Sequence, residues 1–336
     1  MLRHNLSRMT DTLGRREFLV RAALGAAAVG ASCMRGPSSI ARSAPSLMFV
    51  SLPPWAVARN VGWPEQARLA ARVGYKGIDW AFDAAKSAGV GATRALLAEL
   101  GIVPTIVNLP MKGTLGPDDA AFDAQLAGLA ENAAFAAAIG CSRFQFVLAP
   151  TTLDGQSKQA RWEQVRRRLA RIGGVIAPHG MRLGVEFLGP LYFRTRQQAG
   201  ASAPPVPFVW TLRETLALAD ASGPNIGVTL DAWHWHHSGG TVGDIRAADA
   251  SRIVHVHVSD ARAMPPEQVR DDMRLLPGEG VIDLVGFFGA LKAIGYRGGV
   301  APETIGPRIP DTMPPEESAR LALEATTAVM RRAGVA

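Results

Sequence analysis

Leu47-Met48-Phe49-Val50-Ser51, followed at once by Leu52-Pro53-Pro54-Trp55, decides between two architectures. The apolar run reads as a first strand. The residues after it contain no Gly-x-Gly-x-x-Gly turn, so they lack the nest of N–H groups with which an open doubly wound sheet begins its phosphate site. Seven more apolar runs follow, at 77–80, 103–108, 144–148, 182–187, 226–231, 253–258 and 299–303. Between them lie helical patterns, clearest over 64–73, 92–100, 119–139, 159–177, 209–221 and 284–294, with a weak one at 241–248. Strands alternating with helices of this length predict parallel crossover units. Eight such units close into an α/β fold, the (β/α)₈ TIM barrel, and closure removes exposed sheet edges. The open doubly wound sheet is the runner-up.

The first 42 residues stand apart from this rhythm. Arg15-Arg16-Glu17-Phe18-Leu19 precedes an Ala-rich apolar run from Ala22 to Ala31 and then Ser32-Cys33. A basic stretch, a short apolar stretch and small residues form an export signal, too short to span a membrane. The paired arginines resemble a twin-arginine signal. We therefore expect residues 1–42 to be a signal and linker, residues 45–336 to be a single barrel domain, and the protein to be periplasmic or otherwise exported. A lipid anchor at Cys33 is an alternative end for the leader. Seven basic and two acidic side chains fall in 1–42, so five of the seven net positive charges belong to the leader and two to the body. The basic excess is then no argument for nucleic acid. Arg166-Arg167-Arg168 is read as a solvated helix face. With two cysteines in all, one of them in the leader, no disulfide framework is expected, and Cys141 reads as a buried thiol.

Polar residues at the ends of apolar strands carry the functional signal. Leu183-Gly184-Val185-Glu186 and Gly227-Val228-Thr229-Leu230-Asp231 both end in a carboxylate. Ile253-Val254-His255-Val256-His257-Val258 sets two imidazoles on one face by its two-residue period, and Gly299-Val300-Ala301-Pro302-Glu303 ends in a third carboxylate. Strands five to eight thus bring Glu186, Asp231, His257 and Glu303 to one rim. Carboxylates crowded over an apolar core repel and lose solvation, and one divalent cation relieves both costs. The mixed oxygen and nitrogen set suits Mn²⁺, our first choice, and also Mg²⁺, Co²⁺ or Zn²⁺. His255 lies one layer deeper and reads as an interior imidazole. Asp260 either orients His257 from behind or caps the following turn. Trp55, Trp80, Phe82, Trp233 and Trp235 near strand ends suit the C–H faces of a sugar, and Asn108 and Gln145 are candidate hydroxyl binders.

On these residues the chain resembles the sugar phosphate isomerase/epimerase, or xylose-isomerase-like, TIM-barrel superfamily over most of 45–330. The matching segments are Val-Glu-Phe-Leu-Gly-Pro at Glu186, Leu-Asp-Ala-Trp-His at Asp231, His-Val-Ser-Asp at His257, Pro-Glu-Thr at Glu303, and the turn Pro277-Gly278-Glu279-Gly280. The resemblance implies that these four residues hold the metal. It further implies that Glu186 and Glu303 exchange a substrate proton and that His234 contacts substrate, with Arg262 near the place of a substrate-binding arginine. Its activity would be isomerisation or epimerisation of a keto sugar or polyol through an enediolate. A sugar dehydratase or 3-keto-glycoside lyase using the same metal is the alternative. A periplasmic carbohydrate-binding protein is the non-enzymatic one. An apurinic-site nuclease would need more ligands and an extended basic surface. The partners expected are a small carbohydrate or polyol, the export machinery acting on the leader, and a second copy of the chain; nucleic acid is not among them. Residues 188–207, rich in proline and carrying Tyr192, Phe193, Arg194 and Arg196, form a lid, a surface excursion or a subunit contact.

Overall fold

The computed structural model describes residues 48–113, 115–196 and 202–336. The leader at 1–42, its Arg15-Arg16 pair and Cys33 lie outside the described residues. Eight parallel strands close into a barrel in sequence order: β1 Met48–Leu52, β2 Gly77–Asp79, β3 Val103–Asn108, β4 Arg143–Leu148, β5 Arg182–Phe187, β6 Ile226–Asp231, β7 Ile253–Val258 and β8 Gly298–Pro302. The last strand returns to the first through Met48↔Gly298 and Val50↔Val300. The expected (β/α)₈ architecture is therefore the observed one.

The helices between strands pack their apolar sides on the barrel, and three of them end where a left-handed residue is required, at Gly74, Gly101 and Gly295. Gly74 (φ 104°) closes Glu65–Val73, and Gly295 (φ 81°) closes Leu284–Ile294. A Cβ would be strained in both positions. The pattern at 119–139 is two helices, Asp119–Ala127 and Leu129–Ala138, divided at Gly128. Arg168 departs from the solvated face expected of it. It is buried and donates to the carbonyls of Gly116 and Asp118, while Arg166 pairs with Glu163 on the surface side. Cys141 is buried, and burial raises its thiol pKa.

Inside the barrel, the layer beneath the rim is small and polar. Ser51, Thr105, Thr229 and His255 are fully buried there. Gly184 and Gly299 make room for them: a Cβ on Gly299 would stand 2.2 Å from Thr105 Cγ2, and one on Gly184 would stand 2.3 Å from Thr229 Oγ1. Space is thus reserved for polar side chains directly under the strand ends that carry the acids.

Candidate metal centre

Glu186, Asp231 and His257 are carried by the last turns of β5, β6 and β7, and Glu303 follows β8 by one residue. The register aligns them, with Glu186 beside Thr229 and Asp231 beside His257. One donor atom from each of the four lies within 4.8 Å of the others, and all four residues are buried. His257 Nδ1 is 3.0 Å from Glu186 Oε1 and 2.7 Å from Glu303 Oε2, but only the first contact has hydrogen-bond geometry. One ring N–H cannot serve two carboxylates. A cation among the four donors can, which is the sense in which these residues fit a metal.

Arg274 completes the charge pattern. It is 1% exposed, donates to Asp231 Oδ2 at 2.7 Å, and stands 3.4 Å from Glu303 Oε1. Asp271 anchors the same guanidinium at 2.8 Å. Glu186, Asp231, Glu303 and Asp271 outnumber the single guanidinium, and a divalent ion reduces the negative charge that is left. The pKa pattern carries the same strain. Burial favours a proton on Asp231, yet Arg274, with His234 and His257, holds its pKa at about 2. Burial lifts Glu303 to about 7 against the pull of Arg274 and His257. Burial would depress the His257 imidazole, but Glu186 and Glu303 raise it well above its ordinary value.

A second layer lies behind His257. Asp79, at the end of β2, accepts from Ser51 Oγ at 2.7 Å, and its other oxygen is 3.3 Å from His255 Nε2 and 3.9 Å from His257 Nε2. His255 is thus the interior imidazole expected, with burial lowering its pKa. Asp79 was not anticipated, although Gly77-Ile78-Asp79 shows the same acid at an apolar strand end.

The other expected residues divide. His234 joins the centre: its Nε2 accepts from Arg274 Nη2 at 3.3 Å and lies 3.7 Å from Asp231 Oδ2. It sits in the short helix Ala232–His237; Asp231 Oδ1 caps that helix by accepting from Trp233 N at 2.7 Å. Trp233 is buried behind the centre, under the Arg274 guanidinium and 4.4 Å from the His237 ring, so it backs the arginine and does not wall the opening. Asn108 is exposed and lines a cavity beside the centre, and its Oδ1 accepts from Gln145 Nε2.

Arg262 is exposed, and no described hydrogen bond or ion pair ties it to the centre. The reason is an excursion after β7. Asp260 and Leu275 pair in an antiparallel bridge, so the chain leaves after Asp260 with Arg262 pointing outward and returns with Arg274 at the carboxylates. Asp260 does not orient His257. Its carboxylate takes the N–H groups of Ala261, Gly278, Gly280 and Ile282, fixing the Pro277–Gly280 turn. Within the described part of 188–207, the helix Leu191–Thr195 brings the Phe193 ring to 6.0 Å from His234, so this segment walls the centre.

The sequence matches the xylose isomerase-like TIM barrel family over residues 67–329, which include all four clustered donor residues. The chain belongs to that family. Among curated relatives, inosose isomerase of Halalkalibacterium halodurans is 28% identical over 165 residues, 49% of this chain and 53% of that protein. The 3-dehydroshikimate dehydratase of Pseudomonas putida is 31% identical over 133 residues, 39% of this chain and 19% of that protein. The chain thus spans about half the length of the inosose isomerases it matches. Among solved structures, a xylose isomerase domain protein from Alicyclobacillus acidocaldarius superposes with a TM-score of 0.75 at 30% identity, covering 85% of this chain and 99% of that one. The IolI protein, whose crystal structure holds a zinc atom, superposes at 0.71 and 20% identity over 85% of this chain and 99% of that one.

Proposed function

We propose that this protein is a divalent-metal-dependent isomerase or epimerase of a sugar or polyol keto compound, working by proton transfer through an enediolate. The observation that carries it is the convergence of four buried donors within 4.8 Å beside a buried arginine. A divalent ion held by Glu186, Asp231, His257 and Glu303 would polarise the substrate carbonyl and lower the cost of losing the neighbouring C–H proton. Glu186 and Glu303 reach the same imidazole nitrogen from β5 and β8, so they face one shared volume. One takes the proton and the other returns it. Arg274 sets a fixed positive charge beside Glu303 and His234, where enediolate oxygen charge develops. Asp231 is committed to Arg274 and the Trp233 N–H, which leaves it a holding role.

On donor hardness Mn²⁺ is our choice of ion, and the zinc of the IolI structure makes zinc its competitor. Elimination is the second reading, favoured by the local similarity to a dehydratase. The same enediolate expels a neighbouring hydroxyl or glycosyl oxygen when one is placed to leave. The leader at 1–42 would take the enzyme to the periplasm. Metal analysis of purified protein, joined to a mass-resolved screen of ketoses, inososes and 3-keto-glycosides, tests both. Retained mass supports isomerisation, and loss of water or an aglycone supports elimination. Normal turnover in Glu186→Gln or Glu303→Gln would defeat the proton-transfer roles.

A further inference from the structure

The metal centre occupies only the β5–β8 half of the rim. Across from it, the loops after β1, β2 and β3 enclose a cavity of about 790 Å³ reaching from Asp79 outward past Trp55, Trp80 and Asn108 to Lys112 and Gln66. A small-ligand site needs as little as about 300 Å³. A single keto ring bound at the carboxylates therefore leaves most of this space unused. Trp55 stands at the junction. Its ring is 6.1 Å from that of His257 and inclined at 61° to it, and the residue is 42% exposed. Among the described residues the other large exposed hydrophobics are all valines, so an open indole beside a buried metal ligand is not ordinary surface scatter. Val147 is another of them at 51% exposure, and it pairs in register with Glu186. Val147 lines a separate cavity, with Phe146, Leu188 and Phe193, and not the one beside Trp55.

The lining also has a definite chemistry. Indole and phenyl faces come from Trp55, Trp80 and Phe82, and amide groups come from Asn108, Gln125 and Asn132. The Asn108 Oδ1 takes the Gln145 amide, leaving its NH₂ for a ligand. Apolar faces alternating with amides match a sugar ring, with C–H groups on its faces and hydroxyls at its edge; a flat aromatic aglycone would leave the amides unpaired.

We propose that the substrate is a molecule of two sugar rings, the keto ring at the carboxylates and the second ring on Trp55 in the β1–β3 cavity. This rests on the reading of the β5–β8 centre as the site of chemistry, and the test separates the two. Binding is measured by calorimetry on metal-loaded protein with glucose, cellobiose and phenyl glucoside. Cellobiose is expected to bind about tenfold more tightly than glucose, and Trp55→Ala and Asn108→Ala each to remove most of that advantage. Equal binding of glucose and cellobiose overturns the second seat, as does an advantage that survives both substitutions. Tighter binding of phenyl glucoside than of cellobiose overturns its assignment to a sugar. In parallel, uptake of solvent deuterium is followed for fructose and the ketose disaccharides lactulose and isomaltulose. A disaccharide preference in uptake that falls in Trp55→Ala supports the proposal. Absence of uptake from every ketose counts against the proton-transfer reading alone, and the binding measurements still decide the second seat.

Discussion

Replacing Arg274 with methionine removes the guanidinium that balances the carboxylates while keeping a long side chain in its place. Arg274 is 1% exposed and holds Asp231 at 2.7 Å and Asp271 at 2.8 Å. Removing one partner of a buried pair costs about 3–5 kcal/mol, because the charge left behind is uncompensated. At about 2–4 °C per kcal/mol for a domain of this size, the metal-free variant should melt roughly 6–20 °C below the parent. A divalent ion supplies part of the missing positive charge, so the rise in Tm on adding Mn²⁺ should be larger in the variant than in the parent. Arg274→Lys keeps the charge and should lose less. Circular dichroism melts of all three proteins, in chelator and then with saturating Mn²⁺, read both quantities. A metal-free R274M protein that melts with the parent, or a metal-induced rise no larger than the parent's, refutes the charge balance.

In the metal-free protein Glu303 titrates at about 7 against an ordinary 4.5, so its contribution to stability is present below 4.5 and is lost as pH rises through 7. His257, raised above 6.5, acts in the same direction, whereas Asp231, held at about 2, contributes stability that is complete above its ordinary 3.8 and is lost only as pH falls through about 2, outside this interval. The Tm gain on adding Mn²⁺ should therefore grow between pH 5 and pH 8, roughly the interval set by these groups; a gain that shrinks over that interval in thermal melts contradicts the ligand set. Asp79→Asn should weaken metal binding by about 10–100-fold, read by competition with a fluorescent chelator, and an unchanged affinity would show that Asp79 does not support His257. Gly299→Ala places a methyl 2.2 Å from Thr105 Cγ2 and should cost about 1–3 kcal/mol in urea unfolding. Full stability of that variant would mean that the polar layer yields.

What could be read before folding follows from the range of the forces involved. Apolar runs such as 226–231 and 253–258 are local, and they form strands with those bounds. The acids at their ends were legible because burial makes a lone carboxylate costly, and His257 was placed by strand period alone. Asp79 obeys the same rule, but on a strand of three residues the apolar run is too short to draw attention to its end. Gly128 split a helix because one glycine inside a continuous helical pattern gives no warning of a break. The stretch Ala232–His237 is helical because Asp231 caps it, a role hidden by the same residue's promise as a ligand. Arg274 lay beyond local reading altogether. Its approach depends on the Asp260–Leu275 bridge, a tertiary pairing with no periodicity, whereas Arg262 was named because the resemblance puts a substrate-binding arginine near its position.

The two halves of the rim then carry different kinds of information. β5 to β8 and the segment after β7 contribute charge, in carboxylates, an imidazole and a guanidinium, with the carboxylates in excess. The loops after β1 to β3 contribute aromatic faces and amides, which tell one ligand from another. A change in the first half should depress every substrate by a similar factor, because in the proposed mechanism all would share the enediolate. A change in the second should alter the ratio between substrates, because only some reach it. Glu303→Gln and Trp55→Ala therefore ought to leave distinct kinetic signatures across the same panel of ketoses. If Trp55→Ala lowered all of them equally, the indole would belong to the chemistry of the centre, and the division of the rim would have to be redrawn.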